Sequence, residues 1–375
     1  MSSKTKKLER TMNAPAQVAA TAVRDYTQPA AHPDLGSEVC VHLHPEGVPL
    51  FIEPVSERLK TDFAAFKAWF VEHEQAIEAL LHKFGALRLR GFPVNGSEDF
   101  AQMMAHYPSA DMGYTGGGTP RAALAGKVFE ATRFPKNIRL PLHQEMSYLK
   151  HWPLKVGFYC HQPSEVGGAT DIGLISRLES LLEPSFLERI RRHGLIYKRN
   201  FRDKYVESDD LLHPDLVSLH RPWQEAFFTE DRAEAQAACE KMGLEWRWLD
   251  DGSLETRYRS SGFVNHPVLG TQHMFNQANT MNTIDSGVNS INWPAYTERY
   301  THRPKPTECT FGDDTSMTHD EVMMYRQAGH QATVIVPWQK GEVMLIDNIL
   351  VLHGRSPYEG ERNIQVQLFG SGSHG

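Results

Sequence analysis

Cysteine is scarce in this chain, with four in 375 residues: Cys40, Cys160, Cys239 and Cys309. Their wide spacing suits neither a disulfide framework nor a zinc knuckle. They read as free buried thiols in a chain made for a reducing, cytoplasmic setting. Positive charge is also in deficit. The formal net charge is −7, which argues against a general nucleic-acid surface, because phosphate binding needs clustered Lys and Arg. Only the run from Lys4 to Arg10 is strongly basic, and a short basic end reads as solvated and mobile. No apolar stretch reaches the ~18–20 residues that cross a bilayer. The N-terminus lacks the apolar core of a secretory signal, so no membrane partner is expected.

What is present suits a large core. Hydrophobic residues make up 40% of the chain, enough for one elaborated domain. We expect a flexible tail over 1–35, a single domain over 36–370 with a helical insertion at about 176–260, and a second flexible tail at 371–375. That last Gly/Ser-rich stretch resembles an expression remnant, so His374 is given no role. Apolar spacing predicts a helix from Thr61 to Phe84, stopped by Gly85, then a strand over Leu87 to Arg90 and a helix opened by Ser97. Further helices are expected over Ser176 to Ile190 behind a serine cap, Arg232 to Met242 and Thr318 to Gly329. Strands are expected at Val156 to Cys160, Gly167 to Ile172, His273 to Asn276, Ala332 to Val336, Val343 to Ile346 and Asn363 to Gly370. Many short strands broken by Gly and Pro, with flanking helices, imply a mainly β fold of the double-sheet jelly-roll type. The Gly-rich segment Asp111 to Arg121 lacks the lysine and spacing of a phosphate loop and reads as a loop over a site.

The chemistry concentrates in two places. In His143-Gln144-Glu145, side chains i and i+2 share one face of a strand, so an imidazole and a carboxylate can meet one metal ion. His353, in Leu352-His353-Gly354-Arg355, can add a second imidazole from a distant strand. Two His and one carboxylate leave coordination positions open, the pattern of non-haem Fe(II) oxygenases. A 2-oxoglutarate co-substrate would chelate the iron and need a cation for its far carboxylate, and arginine offers a bidentate fork.

Four blocks carry a family resemblance: Leu142 to Tyr148, Gly167 to Thr170, Pro337 to Asn348 and His353 to Arg362. In order and spacing they resemble the TauD/TfdA-like Fe(II)/2-oxoglutarate dioxygenases, from roughly Leu87 to Gly370. Trp223 to Phe227 and Phe275 to Ala278 add a likeness to the syringomycin-type amino-acid β-hydroxylase branch. The resemblance implies a jelly-roll (double-stranded β-helix) core, and Fe(II), 2-oxoglutarate and O2 as cofactor and co-substrates. It implies His143, Glu145 and His353 as iron ligands and Thr170 and Arg362 as partners of the 2-oxoglutarate tail. Many relatives carry that arginine about four residues later, where this chain has Val366, so Arg355 stays the runner-up. Related halogenases replace the carboxylate ligand by a small residue; retention of Glu145 favours hydroxylation.

The resemblance favours as substrate an amino acid or amino-acid-derived intermediate of natural-product biosynthesis, free or tethered to a carrier protein. Hydroxylation, desaturation and cyclisation begin with the same hydrogen abstraction and stay open, as does homo-oligomer formation. Met146 and Tyr148 are candidates for the near wall of the substrate site and Tyr114 to Gly118 for its lid. Asn276 and Gln277 either line the pocket or simply end a strand. A non-catalytic ligand cup and a zinc hydrolase built on the same ligands are the rival readings.

Overall fold

The structure is a computed structural model that describes residues 26–110, 123–125, 128–130, 136–207, 220–282, 300–302 and 304–374. Its centre is the strand Val343–Asp347. Alternation along that strand sends Val343 and Leu345 to an outer core shared with Leu87, Tyr159, Phe66 and Phe70. Met344 and Ile346 point into an inner core with Val156, Phe158, Ile364 and Val366. A strand covered on both faces accounts for the near-continuous apolar run in the sequence.

Around it forms an eight-stranded sheet in the order Val39–Leu43, Leu50–Pro54, Ala86–Leu89, Val343–Asp347, Lys155–Gln162, Asn363–Phe369, Val128–Glu130, Ala123–Ala125. A three-stranded sheet, Ile172–Leu174, Val351–Arg355 and Leu140–His143, shares the inner core with it. These two sheets make the expected jelly roll. The helices Phe63–Glu72 and Glu74–Phe84 cover the outer face of the large sheet. The helix His319–Ala332, opened by a Thr318/Glu321 capping box, packs beside the small one.

Several elements differ from the sequence expectation. The helix over Thr61 to Phe84 is divided, because Asp62 caps a new start by accepting from the Ala64 and Ala65 amides, and His73 separates the next turn. Gly85, at φ 76°, ends it as expected. Gly96, not Ser97, occupies the cap before Ser97–Met103. Ser176 to Ile190 is two helices, Ile175–Leu181 and Pro184–His193, because Pro184 cannot continue the first and instead begins the second. The expected strand Ala332 to Val336 is absent. The helix keeps Ala332, and the following chain only alternates buried Val334 and Val336 with exposed Ile335, making one bridge from Val334 to Ile172.

The insertion is not only helical. Leu195–Phe201 and Leu254–Ser260 pair along seven residues and sit between Glu245–Trp248 and Thr307–Phe311 in a four-stranded sheet. The described parts of both terminal segments pack onto the domain. Tyr26 and Leu35 are buried, and Trp69 Nε1 donates to Leu35 O at 3.1 Å. Gly372–Ser373 pairs with His151–Trp152, and His374 is buried against Ser147 O at 3.2 Å. The physical reason is contact distance: a Cβ at Gly372 would lie 2.3 Å from the Trp152 ring, so the missing side chain lets the tail lie on the indole. The basic run Lys4 to Arg10 and the Gly-rich segment with Tyr114 to Gly118 lie outside the described residues.

Candidate metal centre

Strand pairing brings the two histidines together. His143 ends the strand Leu140–His143, and its cross-strand partner in the antiparallel register is His353. Their ring centroids lie 4.3 Å apart. Glu145 is not on the strand, contrary to the i, i+2 expectation. The chain turns after His143, Met146 adopts a left-handed φ of 58°, and the turn delivers the Glu145 carboxylate. Its Oε2 lies 3.3 Å from His353 Nε2 and 3.9 Å from His143 Nε2. A left-handed conformation at a residue with a side chain is locally costly and persists only where its surroundings enforce it.

Those surroundings are polar and buried. Asn348 is fully buried; its Oδ1 accepts from the Glu145 amide at 2.7 Å, and its Nδ2 donates to Glu145 O at 3.0 Å and Pro153 O at 2.8 Å. Gln144 points the opposite way, donating to Met274 O and Ile349 O. Gln277 Nε2 in turn donates to Gln144 O at 2.6 Å, and Asn276 accepts from Tyr325 Oη at 3.0 Å and donates through Nδ2 to Gly262 O. Asn276 and Gln277 therefore engage the protein and brace the metal turn from behind.

The donor chemistry fits an Fe(II) ion. Ligand atoms from His143, Glu145 and His353 all lie within 4.8 Å of one another, and all three residues are buried. Pro141 O lies 2.9 Å from His143 Nδ1, which places the proton on Nδ1 and leaves the Nε2 lone pair for a metal. The His353 ring is held by packing between His143 and Phe158, and its Nδ1 has no partner among the described residues.

A second cluster, His82, His266 and Asp347, has a similar composition. Its protons exclude the same use. His266 Nδ1 accepts from the Val268 and Leu269 amides, so the hydrogen sits on Nε2 and is donated to Asp347 Oδ2 at 2.8 Å. Asp347 Oδ1 accepts from the Ile349 and Leu350 amides. The cluster thus fixes the turn that carries Asn348. His273 lies outside both groups.

Arg362 and Thr170 come together beside Gly168. Arg362 donates through Nε to Gly168 O at 2.7 Å and through Nη2 to Thr170 Oγ1 at 3.4 Å. Burial, then the charge of Arg355, lowers its pKa to about 10, which leaves it protonated at neutral pH. Gly168 has φ 67°, and a Cβ there would lie 2.1 Å from Ser164 Oγ and 3.1 Å from Arg362 Cδ, so only glycine admits this approach. Trp338 Nε1 also donates to Thr170 Oγ1, at 3.0 Å. With two donor-only groups on its oxygen, Thr170 turns its own hydrogen elsewhere, available to an anion. Trp338 is itself stacked 3.6 Å below the buried Arg88 guanidinium, which pairs with Glu342. Arg355, the alternative anchor, donates to Ile138 O at 2.6 Å and lies over Tyr358.

Met146 and Tyr148 are both buried, and Tyr148 lines a cleft with Leu149, Tyr197, Arg199 and Tyr258. Sequence reasoning did not single out the bracing roles of Asn348, Gln144 and Trp338. The available signal was the polar pair Asp347-Asn348 directly after an apolar strand.

Comparison with known proteins agrees with this geometry. A family profile described as "Taurine catabolism dioxygenase TauD, TfdA family" matches residues 49–368. A clavaminate synthase-like protein of Arabidopsis thaliana is 31% identical over 78% of this chain and 83% of its own length. The dapdiamide synthesis protein DdaC of Enterobacter agglomerans is 31% identical over 82% of this chain and 88% of its own. Among solved structures, AAD-2 in complex with Mn(II) and N-oxalylglycine superposes with a TM-score of 0.50 at 9% identity, covering 90% of this chain and 99% of that one. That likeness speaks to the fold alone.

Proposed function

The chain belongs to the TauD/TfdA family of Fe(II)- and 2-oxoglutarate-dependent dioxygenases, and from that premise we propose that it oxidises an unactivated C–H bond of an amino acid or amino-acid-derived intermediate in natural-product biosynthesis. The observation that carries the reading is the meeting at one buried point of His143 and His353, from strands distant in sequence, with Glu145, from the turn that follows the first strand. His143, Glu145 and His353 would hold Fe(II), which with 2-oxoglutarate and O2 supplies an oxidant able to take hydrogen from carbon.

The chain's own residues do the rest. Arg362 and the Thr170 hydroxyl hold the far carboxylate of 2-oxoglutarate, with Trp338 fixing Thr170. Asn348 and Gln144 hold the turn bearing Glu145. The apolar inner core on the Phe158 side keeps bulk water away from the triad. Met146 and Tyr148 follow the carboxylate ligand directly and form the near wall against substrate. The relative named for dapdiamide synthesis supports a natural-product setting, and the substrate is either free or carrier-tethered.

The test is succinate release with free and carrier-bound amino acids and mass analysis of the product. We expect turnover that needs Fe(II), 2-oxoglutarate and O2 and vanishes in His353→Ala. Wild-type turnover in that variant, or turnover without O2 as in a zinc hydrolase, would defeat the reading.

A further inference from the structure

A cleft behind the metal strand holds two unpaired buried groups of opposite polarity. Its cavity volume is small, about 30 Å³, and it is lined by Leu140 to Leu142, the helix face of Arg326, Gly329 and His330, and Arg139, Asp171 and Asn279. Arg326 is 4% exposed, and its Nε has no hydrogen-bond partner among the described residues. Burial alone lowers its pKa to about 10, with no carboxylate acting against it. An unpaired buried guanidinium is costly, so something of opposite charge is missing from its surroundings.

Asp171 does not supply that charge. Its carboxylate is taken by Arg139 on one oxygen and by Ser356 Oγ at 2.5 Å on the other. The cleft therefore carries two guanidinium groups against one committed carboxylate. His330 lies one helical turn after Arg326 on the same face. Burial and the nearby Arg139 and Arg326 lower its pKa, as expected beside positive charge. Gly329 adds no side chain between them, and a Cβ there would meet nothing within 4 Å.

The second unpaired group sets the ligand's chemistry. Asn279 Nδ2 donates to Leu142 O at 3.0 Å, which fixes the amide and leaves its buried Oδ1 without a donor among the described residues. A ligand that satisfies both groups must accept from a guanidinium and donate to an amide oxygen. We propose that this cleft is a second anion site, separate from the Arg362 cradle, for a small oxyanion that keeps a hydroxyl, such as hydrogen phosphate or bicarbonate. Arginine's planar fork suits such an anion, and the hydroxyl satisfies Asn279. Pro141, whose carbonyl orients His143, lines the same cleft, so occupancy braces the metal strand from its outer side.

The test uses metal-free full-length protein and inorganic phosphate in a phosphate-free, chloride-free buffer, reading the thermal midpoint. A ligand that binds only the folded state raises that midpoint saturably. We expect the rise in wild type and in Arg362→Met, which removes the other anion anchor. We expect its loss in Arg326→Met and in Gly329→Leu, which fills the cleft while keeping the guanidinium and improving helix propensity. The two variants guard against a folding defect in either. Bicarbonate should act as phosphate does. A flat wild-type response, one that survives both cleft variants, or one lost in Arg362→Met would overturn the proposal and leave the cleft to ordered water. Chloride matching phosphate would also overturn it, since a halide cannot donate to Asn279.

Discussion

Replacement of Asn348 by alanine should weaken metal binding without touching a ligand. The substitution deletes three hydrogen bonds, at 2.7, 3.0 and 2.8 Å, and leaves the Glu145 amide buried and unpaired. At roughly 1 kcal/mol net per bond, with about 1–3 kcal/mol for the orphaned donor, the turn around Met146 loses about 3 kcal/mol or more of support. Part of that loss appears as global destabilisation and part as freedom of the Glu145 carboxylate. Residues that hold ligands in this way typically contribute about 10–100-fold in metal affinity. Asn348→Asp should be worse. It keeps an acceptor for the Glu145 amide but turns a carboxylate oxygen toward two carbonyls and adds a buried negative charge. The assay is calorimetric titration of metal-free protein with Fe(II) under anaerobic conditions, paired with urea unfolding to measure stability separately. A folded Asn348→Ala protein that binds Fe(II) with wild-type affinity would refute the claim that this side chain positions the ligand.

Three further outcomes follow from the proposed 2-oxoglutarate anchor and the tail. Arg362→Met should raise KM for 2-oxoglutarate by about 100-fold, from a lost charge-assisted pair of about 2–3 kcal/mol. Trp338→Phe removes only the indole donor to Thr170 and should raise the same KM by roughly 5-fold, from about 1 kcal/mol; steady-state kinetics with varied 2-oxoglutarate separates the two. Burial lowers the pKa of His374 below the usual 6.5. The unfolded state therefore takes up the proton first, so the tail's contribution to stability is whole above about pH 6.5 and declines as pH falls toward the folded value. Hydrogen exchange of residues 371–374 against pH should show this opening, and a His374→Phe variant should lack it.

Legibility of the sequence tracked the range of the interactions involved. Val343 to Ile346 was readable as a strand because burial on both faces leaves a continuous apolar run, and Asn363 to Gly370 because Ile364, Val366 and Leu368 alternate with polar residues. Residue type and order single out His143, His353, Thr170 and Arg362, and the structure sets the first two opposite each other and the last two in contact. Glu145 was placed on the wrong element because the turn after His143 is set by Asn348 and Gln144, whose partners are far away in the chain. The same distance hid the sheet joining Leu195–Phe201 to Thr307–Phe311. Ala332 to Val336 misled for the reverse reason: its apolar run is strand-like locally, while the helix before it and the packing of Val334 and Val336 decide the outcome.

The register that sets His353 opposite His143 has a consequence for assembly of the fold. An ion gripped there ties the final strands to the middle of the chain, acting as a removable staple across the small sheet. Metal affinity and closure of that sheet are then two measures of one free energy. Slippage of either strand by one residue turns an imidazole to the opposite face and ends both together.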